Sequence, residues 1–481
     1  MTRSTLLPPA SLRVLAPLLL VSFAAAQTAV ITEQRVRQTV GWLADDARGG
    51  RDTPSAGLEA AADWIAERFA AAKLHQIHED SWFHRYTLPG LSLDSDQVEV
   101  TLAVRVAVPA PDGEGKPPAE ATERIEKVVL RAGEDVRLWR AGEAVLGSDE
   151  PCTVADAGDP ALERMLMARS ARTPTFLLVD ADHPLWPLAA GRHQLLGGRR
   201  AAARPIFLVQ RKALPAAALA AAKDQKKQWT TTWATPGVEK LDLPLRNVVA
   251  LLPGSDRRDE YVVVSGHYDH VGIGVPVDGD AVRNGADDNA TGAAAVILLA
   301  EALAQAGVPL RRSVLFVCFS AEEKGLLGSR AFVANPPVPL ERIVANVNLE
   351  MLGRPEPGKE GKAWVTGAGY SDFAAIVAPA LARAGVGTIE FGMANQLFRA
   401  SDNLPFAERG IVAHSISAGS LHQDYHQPGD QLEKLDIPHM TKVVAALREA
   451  VVDLANRDER PAWSEAGRKV VEQLQSPTRG R

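Results

Sequence analysis

Between Ser265 and His426 the chain places six side chains able to bind metal, in the order His, Asp, Glu-Glu, Glu, His. The segments that carry them, with their acidic neighbours, are VVVSGHYDH (His267, Asp269), NGADDNATG (Asp287, Asp288), VLFVCFSAEEKG (Glu322, Glu323), NVNLEMLG (Glu350) and DYHQPGD (His426). Mixed imidazole and carboxylate donors suit zinc, and a second ion about 3.5 to 4 Å from the first requires a shared carboxylate. The set is sized for two ions.

The chemistry such a set supports is hydrolysis. Cleaving a peptide bond at neutral pH needs a hydroxide, and coordination lowers the pKa of water from about 15.7 to about 7. A free carboxylate must then accept that proton and pass it to the leaving amine. Two adjacent glutamates after a strand can divide this work, because successive side chains point in different directions. His267 and Asp269, two apart, are expected to share a face, so that the carboxylate fixes the imidazole tautomer.

Each element alone has an ordinary structural reading. A lone His-x-Asp is usually a satisfied surface pair, and Glu-Glu is a common helix start where acidic residues favour the dipole. The order of all of them, with three following the apolar runs 261–264, 314–319 and 343–349, is what points to metal. His270 and His422 lie near these residues without fitting the spacing, and are read as pocket wall or solvated. NGADDNATG lacks the Lys and the spacing of a phosphate cradle.

These residues need a scaffold that brings distant strand ends together. From residue 247 onward, strands and helices alternate: strands at 248–252, 261–266, 313–319, 343–350, 363–366 and 412–417, and helices at 290–305, 324–333, 372–384 and 439–455. Such alternation predicts an α/β fold with a mostly parallel central sheet covered by helices on both faces. Two amphipathic helices are expected upstream, at 31–45 and 56–74. Residues 91–242 read differently, as short strands (98–106, 128–130, 174–179, 205–210) around a Pro- and Gly-rich stretch at 108–118, which suggests an inserted β-rich domain. The peptidase domain is thus expected in two parts, 27–90 and 243–456, followed by a polar tail at 457–481 that extends beyond the fold.

The composition suits an exported enzyme. The chain has 481 residues, 46% of them hydrophobic, enough for two or three cored domains. A net charge of −6 and a pI near 6.0 offer no basic footprint for nucleic acid. Residues 1–26 carry Arg3 and Arg13 before an apolar stretch ending Ala24-Ala25-Ala26, which reads as a signal peptide directing the protein outside the cell or to the periplasm. The alternative is an uncleaved membrane anchor; after cleavage no stable membrane association is expected. Cys152 and Cys318 are expected to form no disulfide.

The motifs resemble those of the two-zinc exopeptidases, the family of secreted aminopeptidases with glutamate carboxypeptidase and glutaminyl cyclase as relatives. The resemblance is strong over 247–435 and weak over 35–53. It implies that His267 and Glu350 are terminal ligands of one zinc, that Glu323 and His426 bind the other, and that Asp288 bridges them. It further implies Glu322 as general base, Asp269 as the carboxylate behind His267, and Tyr425 as a donor to the tetrahedral intermediate. Many relatives have Asp where this chain has Glu350. The resemblance also implies an unusual peptide bond between Asp287 and Asp288, and places Asp402 in a loop lining the pocket, where a capping or turn role fits equally. Residues 91–242 resemble the protease-associated domain often inserted in this family.

The reading is a two-zinc metallopeptidase acting on peptides, foremost an aminopeptidase. Alternatives on the same fold are a carboxypeptidase, a dipeptidase, a glutaminyl cyclase or a non-catalytic receptor-like scaffold. Cyclase relatives use one zinc and scaffold relatives lose ligands, whereas this chain keeps a full set.

Overall fold

A computed structural model describes residues 31–77, 81–107, 123–140, 146–157, 173–196, 204–224 and 226–476. The expected signal peptide at 1–26 and the Pro- and Gly-rich stretch at 108–118 lie outside the described residues.

A nine-stranded sheet organises the molecule. Its order is Gly387–Thr388, Lys362–Val365, Ala413–Ser417, Ile343–Glu350, Arg257–His267, Arg312–Phe319, Glu239–Leu252, Phe83–Asp94 and Arg192–Leu196. The four strands from Ala413–Ser417 to Arg312–Phe319 run parallel, and the three beyond them pair antiparallel. Arg312–Phe319 and the middle of Arg257–His267 are apolar runs because both faces of the sheet are covered, whereas Ile343–Glu350 and Ala413–Ser417 mix in buried polar residues. Val262 and Val264 point into a core shared with helices Glu33–Leu43, Ala56–Ala71, Gly292–Ala306, Phe373–Arg383 and Ile437–Asn456. Val263, between them, points the opposite way, into a smaller core with Phe319, Phe332 and Phe406.

Helix starts follow capping chemistry. Thr32, Ser55 and Asp436 each accept a hydrogen bond from a backbone N–H in the first turn of their helices. Glu301, buried within Gly292–Ala306, is paired with Arg35 and Arg68 from the two upstream helices, which fastens them to the central layer. The apolar helical stretch 286–306 is long enough to cross a membrane, but here it is mostly buried in the core.

A second, seven-stranded sheet lies wholly within residues 91–242, around a core containing Leu102, Phe176, Phe207 and Trp233. Strands Phe83–Asp94 and Glu239–Leu252 pair with Leu88 opposite Leu243 and Gly90 opposite Leu241, so the chain leaves and re-enters the first sheet side by side. This pairing continues to Ser92 opposite Glu239, and Arg192–Leu196 also joins the first sheet. The crossover between the sheets therefore falls a few residues inside the 91–242 segment.

The polar tail departs from expectation. Residues 465–475, Glu465–Gln475, form a helix capped by Ser464, which buries Gly467 and Val471. Trp463 donates from its indole to the Gly410 carbonyl, and Gln475 donates to the Glu408 carbonyl. Few apolar positions suffice here, because the helix docks through a narrow stripe and main-chain hydrogen bonds.

Candidate metal centre

The carboxyl ends of the parallel strands open on one side of the sheet, where α/β folds form their sites. Arg257–His267 ends on the first histidine and Ile343–Glu350 on the glutamate; Glu322 and Glu323 follow Arg312–Phe319 after two residues. His426 lies in the loop after Ala413–Ser417, and Asp288 lies in the turn that leads into Gly292–Ala306. That helix packs close to the sheet because residue 292 is glycine: a Cβ there would stand 2.3 Å from the Leu349 carbonyl oxygen.

Two donor groups result, sharing Asp288: His267, Asp288 and Glu350 form one, and His270, Asp288, Glu323 and His426 the other. In the first, His267 Nε2 stands 3.0 Å from Glu350 Oε1 and 3.5 Å from Asp288 Oδ1. In the second, His426 Nε2 stands 3.0 Å from Asp288 Oδ2 and 3.2 Å from Glu323 Oε1. The two oxygens of Asp288 thus face opposite groups. Donors arranged tetrahedrally about a zinc at about 2.0 to 2.2 Å are themselves roughly 3.3 to 3.6 Å apart, so these spacings suit one ion in each group.

Electrostatics point the same way. Asp269, Asp287, Asp288, Asp402 and Asp430 are buried, and Glu322, Glu323 and Glu350 are nearly so. Burial, reinforced by Glu323, Asp402 and Glu350, holds the Glu322 carboxyl well above the usual carboxylate range. Asp402 is pushed up to about 7, again first by burial. Crowded buried carboxylates are costly unless paired or bound to metal, and two divalent cations supply the missing charge. Arg51, the buried guanidinium nearby, spends its hydrogen bonds on carbonyls instead. Its Nε donates to Tyr268 O, one terminal nitrogen to Leu43 O and Asn284 O, and the other to Gly285 O.

Supporting contacts differ from the expected ones in several places. The Nδ1 of His267 donates to the backbone carbonyl of Asp269 at 3.2 Å, while the Asp269 carboxylate stands 3.6 Å away. The strand stops at His267, so the shared-face argument ends there. Asp269 accepts instead from the backbone N–H groups of Glu322 and Glu323 and from the Thr53 hydroxyl, fixing the turn that carries both glutamates. The cis peptide bond lies one position later than expected, between Asp288 and Asn289. Asp402 makes no side-chain cap; it accepts from Ser329. Tyr425 stacks on the His426 ring, with centroids 3.9 Å apart, and is partly exposed at the rim.

Four contributors were not assigned to the site from the sequence. Asp430 accepts from the N–H groups of Asp287 and Asp288, holding the bridging turn. Its position at the end of DYHQPGD was the available signal. Ser401 donates to Glu350 Oε2 at 2.6 Å, and Asn348 donates to Ser401, so a polar chain crosses the sheet to position that glutamate. His270, read as pocket wall or solvated, stands instead in the second donor group. His422 stands outside both groups, beside Arg354.

Residues 247–451 match the profile described as peptidase family M28, and that part of the chain fits the two-zinc exopeptidase group. The aminopeptidase YwaD of Bacillus subtilis (strain 168) is 26% identical over 225 residues, 45% of this chain and 46% of that protein. A probable zinc metalloprotease of Pyrenophora teres f. teres is 31% identical over 140 residues, 28% of this chain and 30% of that protein. The chain thus matches at most about half the length of these relatives. Among solved structures, BSAP, a zinc aminopeptidase from Bacillus subtilis, superposes with a TM-score of 0.53 at 19% identity, covering 89% of this chain and 97% of that one. This likeness shows a common fold.

Proposed function

We propose that the protein is a two-zinc metallopeptidase that removes residues from the amino termini of peptides. The observation that carries this reading is Asp288, whose two oxygens face separate groups of donors. His267, Asp288 and Glu350 would hold one zinc, and Asp288, Glu323 and His426 the other. The bound ions supply Lewis acidity and lower the pKa of water at the site. Glu322, whose turn is tied down by Asp269, accepts a proton from that water at its carboxylate and passes it to the leaving amine. Tyr425, at the rim beside His426, donates its hydroxyl proton to the developing oxyanion.

Two complete donor groups favour hydrolysis over cyclisation, which needs no attacking water, and over a scaffold, which has no use for ligands. The apolar leader at 1–26 supports export through a cleaved signal peptide. The seven-stranded sheet supports an inserted module of the protease-associated kind bordering the peptidase domain. The test is a panel of fluorogenic aminoacyl, dipeptidyl and carboxy-terminal substrates. Cleavage of the aminoacyl reporters with single-residue release is expected. Activity confined to carboxy-terminal substrates would overturn the aminopeptidase assignment.

A further inference from the structure

We propose that His270 is a ligand of the same metal position as Asp288, Glu323 and His426, giving that position four protein donors while its neighbour has three. The inference rests on the two-zinc reading above.

The His270 ring is fully buried; its Nε2 has no hydrogen-bond partner among the described residues, and its Nδ1 meets only carboxylate oxygens, at distances that a shared cation also fits. Here Nδ1 is aimed inward, 3.0 Å from Glu323 Oε1 and 3.8 Å from Asp288 Oδ2. Those are the oxygens that also face His426 Nε2. The two imidazoles meet edge to face, with centroids 5.4 Å apart and planes at 79°, so their nitrogens converge on one point without stacking. All four donor atoms fall within 4.8 Å of one another.

The backbone is built to hold the ring there. His270 N–H donates to the Arg51 carbonyl, and the Arg51 guanidinium bonds the carbonyls of Tyr268 and Gly285 on either side. Residue 285 has φ +54°, and a Cβ on it would stand 2.5 Å from the His270 ring, so glycine is required both by conformation and by contact. A neutral imidazole adds a donor to the group without changing its charge.

Inequality of the two positions follows. Four protein donors complete the tetrahedral shell that zinc prefers, whereas three leave an open place of the catalytic kind. The ion at His270, Asp288, Glu323 and His426 is then the tightly held one, and the ion at His267, Asp288 and Glu350 is the exchangeable one that meets substrate.

The test uses the full chain. Zinc-loaded wild type is crystallised and the ions located by anomalous scattering; His270 Nδ1 is expected at about 2.0 to 2.1 Å from one of them. In parallel, zinc affinity of chelator-stripped wild type and His270→Gln is measured by competition with a chromophoric chelator, with circular dichroism to verify folding. A loss on the order of 10- to 100-fold or more at the tighter position is expected, with the weaker position unchanged. A wild-type crystal with zinc at Asp288 and the His270 ring beyond about 3 Å would overturn the proposal while leaving the two-zinc reading intact. So would a folded His270→Gln that binds both ions as wild type does. Wild-type protein that takes up no zinc at Asp288 would overturn both.

Discussion

Both sheets of this protein end parallel strands in carboxylates, and among the described residues only one of the two sets of strand ends gathers donors spaced to hold a metal ion. In the seven-stranded sheet, Leu146–Asp156, Thr175–Val179 and Ile206–Gln210 run parallel and are followed or closed by Asp156, Asp180 and Arg211. Arg211 pairs with Asp156 at 2.9 Å and with Asp180 at 3.0 Å, in an exposed setting. In the nine-stranded sheet the strand ends carry Asp269, Glu322, Glu323 and Glu350 in a closed pocket, where the buried guanidinium of Arg51 hydrogen-bonds carbonyls rather than carboxylates. Acidic strand ends are therefore common to both. What separates them is burial: the exposed pair is met directly by Arg211 in water, whereas the buried carboxylates crowd where the guanidinium of Arg51 hydrogen-bonds carbonyls, a setting in which bound metal would balance charge.

That contrast can be broken at its strongest point first. Glu322→Gln should retain both zinc ions and lose about 10²- to 10⁴-fold in kcat on an aminoacyl reporter, since only proton transfer is removed. Metal analysis and kinetics on one preparation check it, and near-normal turnover in the zinc-loaded variant would take Glu322 out of the base role. Glu350→Ala should drop zinc from two ions per chain towards one under dialysis, while Glu350→Asp keeps much of it, because zinc accepts either carboxylate at about 2.0 to 2.2 Å. An alanine variant that keeps two ions would make that strand end a packing feature.

Arg51→Met sharpens the electrostatic half of the argument. Removing the guanidinium strands several buried carbonyls, each costing about 1 to 3 kcal/mol, so stability should fall by on the order of 3 kcal/mol, read from the chemical denaturation midpoint. Zinc should restore part of the loss, as any ligand of the native state does. The counterpart, Arg211→Gln, should change stability by less than about 1 kcal/mol, because exposed ion pairs contribute little. A large effect at Arg211 would erase the distinction between the two sets of strand ends.

Much of this was legible in the sequence for a physical reason. Parallel strands buried on both faces must be apolar runs, so 261–264, 314–319 and 343–349 announced themselves, and a polar residue ending such a run had to face the sheet's open edge. The bridging role of Asp288 came from resemblance, and the structure aims its two oxygens at opposite groups. What was not legible depends on where a chain turns. His270 is three residues past a strand end, and only the Arg51 anchor, more than 200 positions upstream, swings it inward. Asp269 stays 3.6 Å from His267 Nδ1 while its oxygens also take the N–H groups of Glu322 and Glu323. The helix Glu465–Gln475 was passed over because it is short and polar on average, with only Gly467 and Val471 buried, and its anchor Trp463 lies outside it.

The central claim is that the pocket holds two zinc ions and that hydrolysis depends on them. The direct measurement is titration of zinc into the chelator-stripped full chain, with bound metal read by plasma emission and activity read on an aminoacyl reporter at each step. The account predicts saturation at two ions per chain, with activity absent from the stripped protein and restored as the donor groups fill. Protein that binds no zinc, or that hydrolyses the reporter equally well with and without it, would contradict the account.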